Sequence, residues 1–158
     1  MIIKSSRIPV GRARAMAAYL TDHGDNEAVK WRRGRPEDIN WMSLAAETSG
    51  QVFAVRHVII APEFELSSTD LRHAVLAITR EYRLSDLSLS QVCVVEHLKA
   101  RSGLETGAAH FHLALPEYDL DTNRVLDSRF TRMRDEKLAR MLELQLGHSA
   151  GVGRFNRE

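Results

Sequence analysis

Cysteine is almost absent from this sequence, and its scarcity excludes one class of protein. The 158 residues include one cysteine, Cys93, so no internal disulfide framework can form. A small secreted domain held together by disulfides is therefore excluded. Cys93 lies in the apolar run 92–95, and we expect it to be a small buried hydrophobic side chain.

Long hydrophobic runs and an excess of one charge are also lacking. No stretch approaches the ~20 apolar residues of a membrane span, and residues 1–10 contain no signal-peptide core or cleavage site. Lysine and arginine number 22 against 21 for aspartate and glutamate, so the net charge is +1. Bulk charge therefore indicates no polyanionic partner, although a basic patch can act locally. We expect a cytoplasmic protein.

Hydrophobic periodicity predicts four strands and four helices in one domain, residues 1–158. The strands are expected at 1–10, 51–62, 90–98 and 109–118, and the helices at 12–21, 36–50, 70–84 and 129–147. Ser67, Ser68 and Thr69 offer caps for the third helix. Because residues 91–98 and 109–116 form a plausible antiparallel hairpin, the order indicates an α+β fold. We expect an antiparallel or mixed central sheet flanked by helices that lie on one face.

The segment "AHFHL" at 109–113 places two histidines on alternate positions of a predicted strand. Side chains at i and i+2 share a face, so His110 and His112 point the same way. His97 ends the preceding strand and can come opposite them if the two strands pair. Three neutral imidazoles suit a transition metal such as Mn, Fe, Ni, Cu or Zn, and they leave coordination positions open, as a catalytic site requires. Alternatively, these histidines are packed or surface side chains.

A strand ending in histidine, then a loop, then His-hydrophobic-His resembles the third motif of conjugative relaxases. These mobilisation nucleases belong to the HUH endonuclease superfamily. "VVEH" and "AHFHLAL" carry the resemblance, and "AAYLTD" places Tyr19 in an N-terminal helix, where this family holds a nucleophilic tyrosine. "RHVIIAP" is similar to the family's central strand, which begins at a histidine, here His57. "RVLDSRFTRMRDEKLARMLELQLGH" and "GRFNR" resemble the helix and tail that follow, so the resemblance covers nearly the whole chain.

The resemblance implies metal-dependent nicking and rejoining of one DNA strand at the origin of transfer of a plasmid or integrative element. Tyr19 would attack a phosphodiester and form a 5′-phosphotyrosine intermediate. His97, His110 and His112 would hold Mg²⁺ or Mn²⁺, with Zn²⁺ as a further option. His57 would help to deprotonate Tyr19, or contact the metal ligands without binding the metal itself, or be a core histidine. The partners would be single-stranded origin DNA, relaxosome accessory proteins and the coupling protein of a secretion system, with no membrane span.

Several assignments stay open at this stage. Tyr118 is the second candidate for the nucleophile, and Tyr82 the third. A carboxylate that orients the ligands could be Asp22, Asp25, Glu27 or Glu105, because Glu96 cannot share a strand face with His97. Basic and aromatic groups are the expected DNA contacts. They are Arg12, Arg14, Lys30, Trp31, Arg32, Arg33, Arg35, Arg154 and Arg157.

Two other functions compete with the nuclease. The first is a relaxase-like domain that has lost catalytic activity and only binds nucleic acid or a partner. The second is a cupin-like metal enzyme, since His-x-His is common there too. The helix-rich pattern argues against the cupin, which is dense in strands and glycine-rich.

Overall fold

Residues 1–99 and 108–149 are described by the structure, which is a computed structural model. The main strands are β1 (Ile2–Pro9), β2 (Ala28–Arg33), β3 (Phe53–Ala61), β4 (Cys93–Lys99) and β5 (Ala108–Pro116), and a small hairpin consists of β6 (Tyr118–Asp119) and β7 (Arg124–Val125). The helices are α1 (Ala13–Thr21), α2 (Pro36–Thr48), α3 (Ser68–Glu81), α4 (Asp86–Ser90) and α5 (Thr131–Leu146), with a 3-10 turn at Val10–Arg12. No helix in these two ranges is long and apolar enough to cross a bilayer.

The main sheet has five strands in the order β1-β3-β5-β4-β2, and every adjacent pair is antiparallel. The predicted α+β fold with an antiparallel sheet flanked by helices is therefore confirmed. The predicted pairing of 91–98 with 109–116 is also confirmed, with Cys93 opposite Ala114 and His97 opposite His110. The two strands are consecutive in the chain, and consecutive strands commonly pair with each other.

The helices lie on both faces of the sheet, so the expectation of one covered face is wrong. On one face, α3 and α5 pack on Val58, Phe111 and Leu113. On the other, α1 and α2 pack on Val55, Cys93, Val95 and Ala114. The physical reason is that β3, β4 and β5 carry apolar side chains on both faces. Each buried aliphatic side chain is worth about 1.5–3 kcal/mol, so both faces need a cover. We call the face under α1 and α2 the histidine face.

Strand β2 is absent from the order derived from the sequence. It pairs with β4, from Ala28 opposite Leu98 to Arg33 opposite Val94, and forms an edge of the sheet. Its alternation of apolar and basic residues covers only positions 29–32, the shortest run that indicates a strand. Cationic side chains on an edge strand discourage pairing with another chain, which gives this basic run a structural role.

Of the three residues predicted as possible caps of α3, one acts as its N-cap. Ser67 is the N-cap, and its hydroxyl accepts a hydrogen bond from the backbone N–H of Asp70 at 3.1 Å. The Asp70 carboxylate in turn accepts from the backbone N–H of Ser67 at 3.1 Å, which completes a capping box. These bonds satisfy two backbone donors at the start of α3.

Cys93 is fully buried, as expected, and it packs against the turn that follows β2. Burial raises the pKa of the Cys93 thiol to about 12, so the thiol is not reactive at neutral pH. Gly34 has a φ of 72°, and a Cβ built on it would lie 2.7 Å from the sulfur of Cys93. Positive φ and this close approach both require glycine at position 34.

We therefore expect Gly34→Ala to lower the free energy of unfolding by about 1–3 kcal/mol. The strain of the left-handed backbone and the contact with Cys93 both contribute. Urea denaturation followed by tryptophan fluorescence measures the change. Gly50→Ala is the matched control, because Gly50 has a φ of 69° but nothing within 4 Å of the added Cβ. Equal losses in the two variants would remove the contact with Cys93 from the explanation.

Candidate metal centre

Three histidine side chains converge on the histidine face at the β4–β5 pair. His97 lies directly opposite His110, and His112 follows two residues later on the same face. The ring centroids are 4.4 Å apart for His97 and His112, 4.9 Å for His110 and His112, and 5.4 Å for His97 and His110. One ring nitrogen from each lies within 4.8 Å of the others. This triad could bind one metal ion.

An imidazole must be neutral to bind a metal, and burial favours the neutral form of His110 and His112. His97 and His112 are each 1% exposed, and His110 is half-buried. Burial, followed by the electrostatic interactions with His57, His97 and His110, lowers the pKa of His112 to about 3. Burial and then His97 and Lys99 lower the pKa of His110 below its ordinary value. At neutral pH both imidazoles therefore offer a lone pair for coordination.

The C-terminal end of α1 orients His97. Nε2 of His97 lies 3.0 Å from the carbonyl oxygen of Leu20, in the last turn of the helix. A carbonyl only accepts, so Nε2–H donates, and in the neutral ring the lone pair is then on Nδ1. Leu20 is fully buried under the sheet and places this carbonyl, which has no partner within the helix. The negative end of the helix dipole also favours a cation here.

His57 of β3 orients His112. Nε2 of His57 lies 2.9 Å from Nδ1 of His112, and the ring planes are within 12° of each other. Burial, and then the charge of His97, lowers the pKa of His57 to about 4, so this hydrogen bond joins two neutral rings. If His112 binds a metal through Nε2, its Nδ1–H donates and His57 accepts. A carboxylate or carbonyl usually fills this accepting role.

The residues present fit a divalent metal ion. Nε2 of His112 is buried and has no hydrogen-bond partner among residues 1–99 and 108–149. An unsatisfied buried polar atom costs about 1–3 kcal/mol, which coordination would recover. The donor set of three imidazoles suits a transition metal and leaves room for further ligands.

The aromatic ring of Tyr19 lies beside this cluster. Its centroid is 5.7 Å from that of His112 and 6.0 Å from that of His97, both edge to face. The side chain is 54% exposed, at the end of α1 that contacts His97. By contrast, Tyr82 is buried with its hydroxyl 3.2 Å from Ser5, and the Tyr118 hydroxyl donates to Asn123 at 2.9 Å. Neither of these two contacts includes a histidine of the triad.

Among the described residues, the groups that contact the histidine ring nitrogens are not the carboxylates that were candidates for this orienting role. The ring nitrogens of His97 and His112 contact a backbone carbonyl, the Asn26 amide and the His57 imidazole, rather than a carboxylate. Asp22, Asp25 and Glu27 are exposed. Glu105 lies outside the described residues. Neither Leu20 nor Asn26 was predicted to contact a histidine, because neither contact follows from local spacing.

The expected DNA contacts occupy separate surfaces. Arg12 and Arg14 are exposed at the start of α1, without an ion pair in the ranges described. Lys30, Arg32, Arg33 and Arg35 are exposed on β2 and the turn after it. Arg154 and Arg157 lie outside the described residues.

Within β2, the basic side chains and the ring of Trp31 point to opposite faces of the sheet. Trp31 is half-buried against the core of the histidine face, and its indole nitrogen is buried without a partner in the described ranges. Lys30 lies opposite Glu96, and Arg32 donates to the Glu96 carboxylate at 2.6 Å. Arg33 donates to the carbonyl of Leu89 at 2.6 Å. The expected combination of a stacking ring with adjacent cations is therefore divided between the two faces.

No protein-family model and no curated protein matches the chain. Among solved structures, the chain is similar to one from work on the molecular basis of vancomycin resistance transfer in Staphylococcus aureus. The identity is 13%, the alignment covers 94% of each chain, and the TM-score is 0.49. At this level of similarity the comparison says nothing about activity.

Proposed function

We propose that the protein is a metal-dependent DNA strand transferase of the relaxase type, acting at an origin of transfer. The observation that supports this most strongly is the position of the Tyr19 ring, 5.7 Å from His112 and 6.0 Å from His97. A phenol beside a cluster of three imidazoles combines a nucleophile with a candidate metal site. A divalent ion such as Mg²⁺ or Mn²⁺ would polarise the scissile phosphate and neutralise its developing charge.

In the proposed reaction, Oη of Tyr19 forms a bond to phosphorus and the bond from phosphorus to the 3′ oxygen breaks. The product is a 5′-phosphotyrosine, and the 3′ oxygen leaves with a proton as a free hydroxyl. The phenol proton leaves to solvent, to which the half-exposed side chain is open. Tyrosine is a weak nucleophile at its ordinary pKa of about 10, so it needs this activation. Attack by the 3′ hydroxyl reverses the step and rejoins the strand.

His57 is proposed as a positioning residue rather than the base for Tyr19. It is 8% exposed, and its Nε2 is engaged with His112 at 2.9 Å. An imidazole that accepts from His112 Nδ1–H would hold the ring so that Nε2 faces the metal. Arg12 and Arg14 are proposed as phosphate contacts, because they are exposed cations near the helix that carries Tyr19. Lys30, Arg32, Arg33 and Arg35, together with Arg154 and Arg157, are proposed as further ones.

We expect His57→Leu to weaken Mn²⁺ binding by about 10–100-fold, the usual cost of losing the partner of a ligating histidine. Calorimetric titration of the purified protein measures the affinity. His57→Asn should retain most of it, since the amide oxygen can accept the same hydrogen bond. His73→Leu is the matched control, because His73 is an exposed histidine whose Nε2 contacts Gln145 at 2.9 Å. Unchanged affinity in His57→Leu would refute the positioning role.

The proposed function is tested by covalent capture. The protein is mixed with single-stranded origin-region oligonucleotides and Mn²⁺ or Mg²⁺, then run on a denaturing gel. We expect a protein–DNA adduct that disappears when EDTA removes the metal. A shift on native gels without a covalent product would support the competing function, a domain that binds nucleic acid but does not cut it.

A further inference from the structure

We propose that Asn26 is a fourth protein ligand, which supplies an amide oxygen to the metal centre beside His97. This inference rests on the proposed metal centre and extends it. Asn26 lies in the connection between α1 and β2, outside the strands that carry the three histidines. Asn26 was not among the metal ligands predicted from the sequence.

The Asn26 side chain touches the cluster and is incompletely satisfied there. Its Nδ2 lies 3.4 Å from Nδ1 of His97, and its Oδ1 is buried without a hydrogen-bond partner among the described residues. The backbone around it is anchored, because Asn26 N–H donates to the carbonyl of His23 at 2.6 Å and Glu27 N–H to that of Leu98 at 2.8 Å. The amide is therefore held at the end of β4, next to a ring nitrogen that carries a lone pair.

The spacing fits two adjacent ligands of one ion. Bonds of about 2.1 Å place neighbouring ligand atoms roughly 3.0 Å apart in an octahedral site and roughly 3.4 Å apart in a tetrahedral one. The distance from Nδ1 of His97 to the Asn26 amide is 3.4 Å. Because the Leu20 carbonyl accepts from Nε2–H of His97, the lone pair for the metal is on Nδ1, the nitrogen that faces Asn26. A half turn of the amide places Oδ1 where Nδ2 now stands.

An amide oxygen would change which ion the site prefers. Imidazole ligands alone favour Zn²⁺ over Mn²⁺ and Mg²⁺, which prefer oxygen ligands. One neutral oxygen adds a hard ligand without adding charge, and it brings the protein ligands to four. In an octahedral site two positions would remain for water or phosphate oxygens. Asn26 would thus support binding of Mn²⁺ more than binding of Zn²⁺.

The test compares Mn²⁺ and Zn²⁺ affinities by calorimetry in the full chain. We expect Asn26→Ala to weaken Mn²⁺ binding by about 10-fold or more, and Zn²⁺ binding distinctly less. Asn26→Asp should bind Mn²⁺ at least as tightly as the unaltered protein, because a carboxylate oxygen replaces the amide oxygen. The Co²⁺ visible spectrum gives a second readout, since loss of a ligand changes the coordination number. Asn40→Ala, an exposed asparagine on α2, is the control.

Several results would overturn the inference. Unchanged affinities in Asn26→Ala, or equal losses for both ions that Asn26→Asp does not restore, would show that the side chain is not a ligand. If the unaltered protein bound neither ion, this inference and the proposed metal centre would both fail. Metal binding with the expected Asn26 effects, but without a DNA adduct, would refute the proposed function alone and leave Asn26 as a ligand.

Discussion

Tyr19→Phe is expected to reduce covalent attachment to DNA by at least about 10⁴-fold, the scale of loss when a catalytic nucleophile is removed. The substitution removes only the hydroxyl oxygen that would bond to phosphorus. The ring remains, with its edge-to-face contacts to His97 and His112. Metal affinity and the free energy of unfolding should therefore stay close to those of the unaltered protein. Adduct formation on denaturing gels and calorimetric Mn²⁺ titration measure the two properties separately.

Tyr118→Phe is the matched control for the nucleophile. The Tyr118 hydroxyl donates to Asn123 at 2.9 Å in the β6–β7 hairpin, and its loss should leave adduct formation unchanged. If Tyr118→Phe abolished the adduct and Tyr19→Phe did not, the nucleophile would be the tyrosine that follows the histidine strand. An adduct that survives in both single variants would refute a tyrosine nucleophile at either position.

The second large effect is expected from Glu117→Ala, which should lower the free energy of unfolding by about 3–5 kcal/mol. Glu117 and Arg56 are both fully buried, and the Glu117 carboxylate accepts two hydrogen bonds from the Arg56 guanidinium, each at 2.8 Å. Arg7 donates a third at 2.7 Å. Burial acts to lower the pKa of Arg56, but the hydrogen bond and charge of Glu117 raise it above its ordinary value. Removal of Glu117 would leave a buried cation without its counter-charge.

Urea denaturation provides the measurement, and Glu96→Ala provides the comparison. Glu96 pairs with Arg32 at 2.6 Å, but the Arg32 side chain is 45% exposed, so this pair should be worth less than about 1 kcal/mol. The double variant Arg56→Met with Glu117→Leu should recover most of the loss, because it removes both charges. A loss in Glu117→Ala no larger than that in Glu96→Ala would contradict the account of a buried, mutually dependent pair.

Several features of the histidine cluster follow from the sequence through local geometry. Alternation along a strand places His110 and His112 on one face whatever the rest of the chain does. Strands 93–99 and 108–116 are consecutive, so an antiparallel hairpin brings His97 opposite His110. The helix that carries Tyr19 was readable from its alanine-rich pattern, and the cap at Ser67 from its residue type. All of these depend on residues that are near one another in the chain.

Strand β2 shows why part of the fold was not readable. Its alternation of apolar and basic residues covers only positions 29–32, and it exists as a strand because β4 supplies its hydrogen bonds. The packing of helices on the second face of the sheet also depends on tertiary contacts. Whether α1 and α2 join α3 and α5 on one face, or take the opposite face, depends on how much apolar surface each face exposes.

The amino-acid sequence by itself determined that three histidines could share one side of a hairpin and that a tyrosine lay on an early helix. Only the tertiary structure decided that the tyrosine lies beside two of those rings, that the Leu20 carbonyl and the His57 imidazole orient His97 and His112, and that Asn26 contacts His97. The hydrogen bonds that His97 makes to Leu20 and Asn26, and that His112 makes to His57, join residues 77, 71 and 55 positions apart. Contacts over such separations are selected by the packing of helices against the sheet, which no local pattern in the chain specifies.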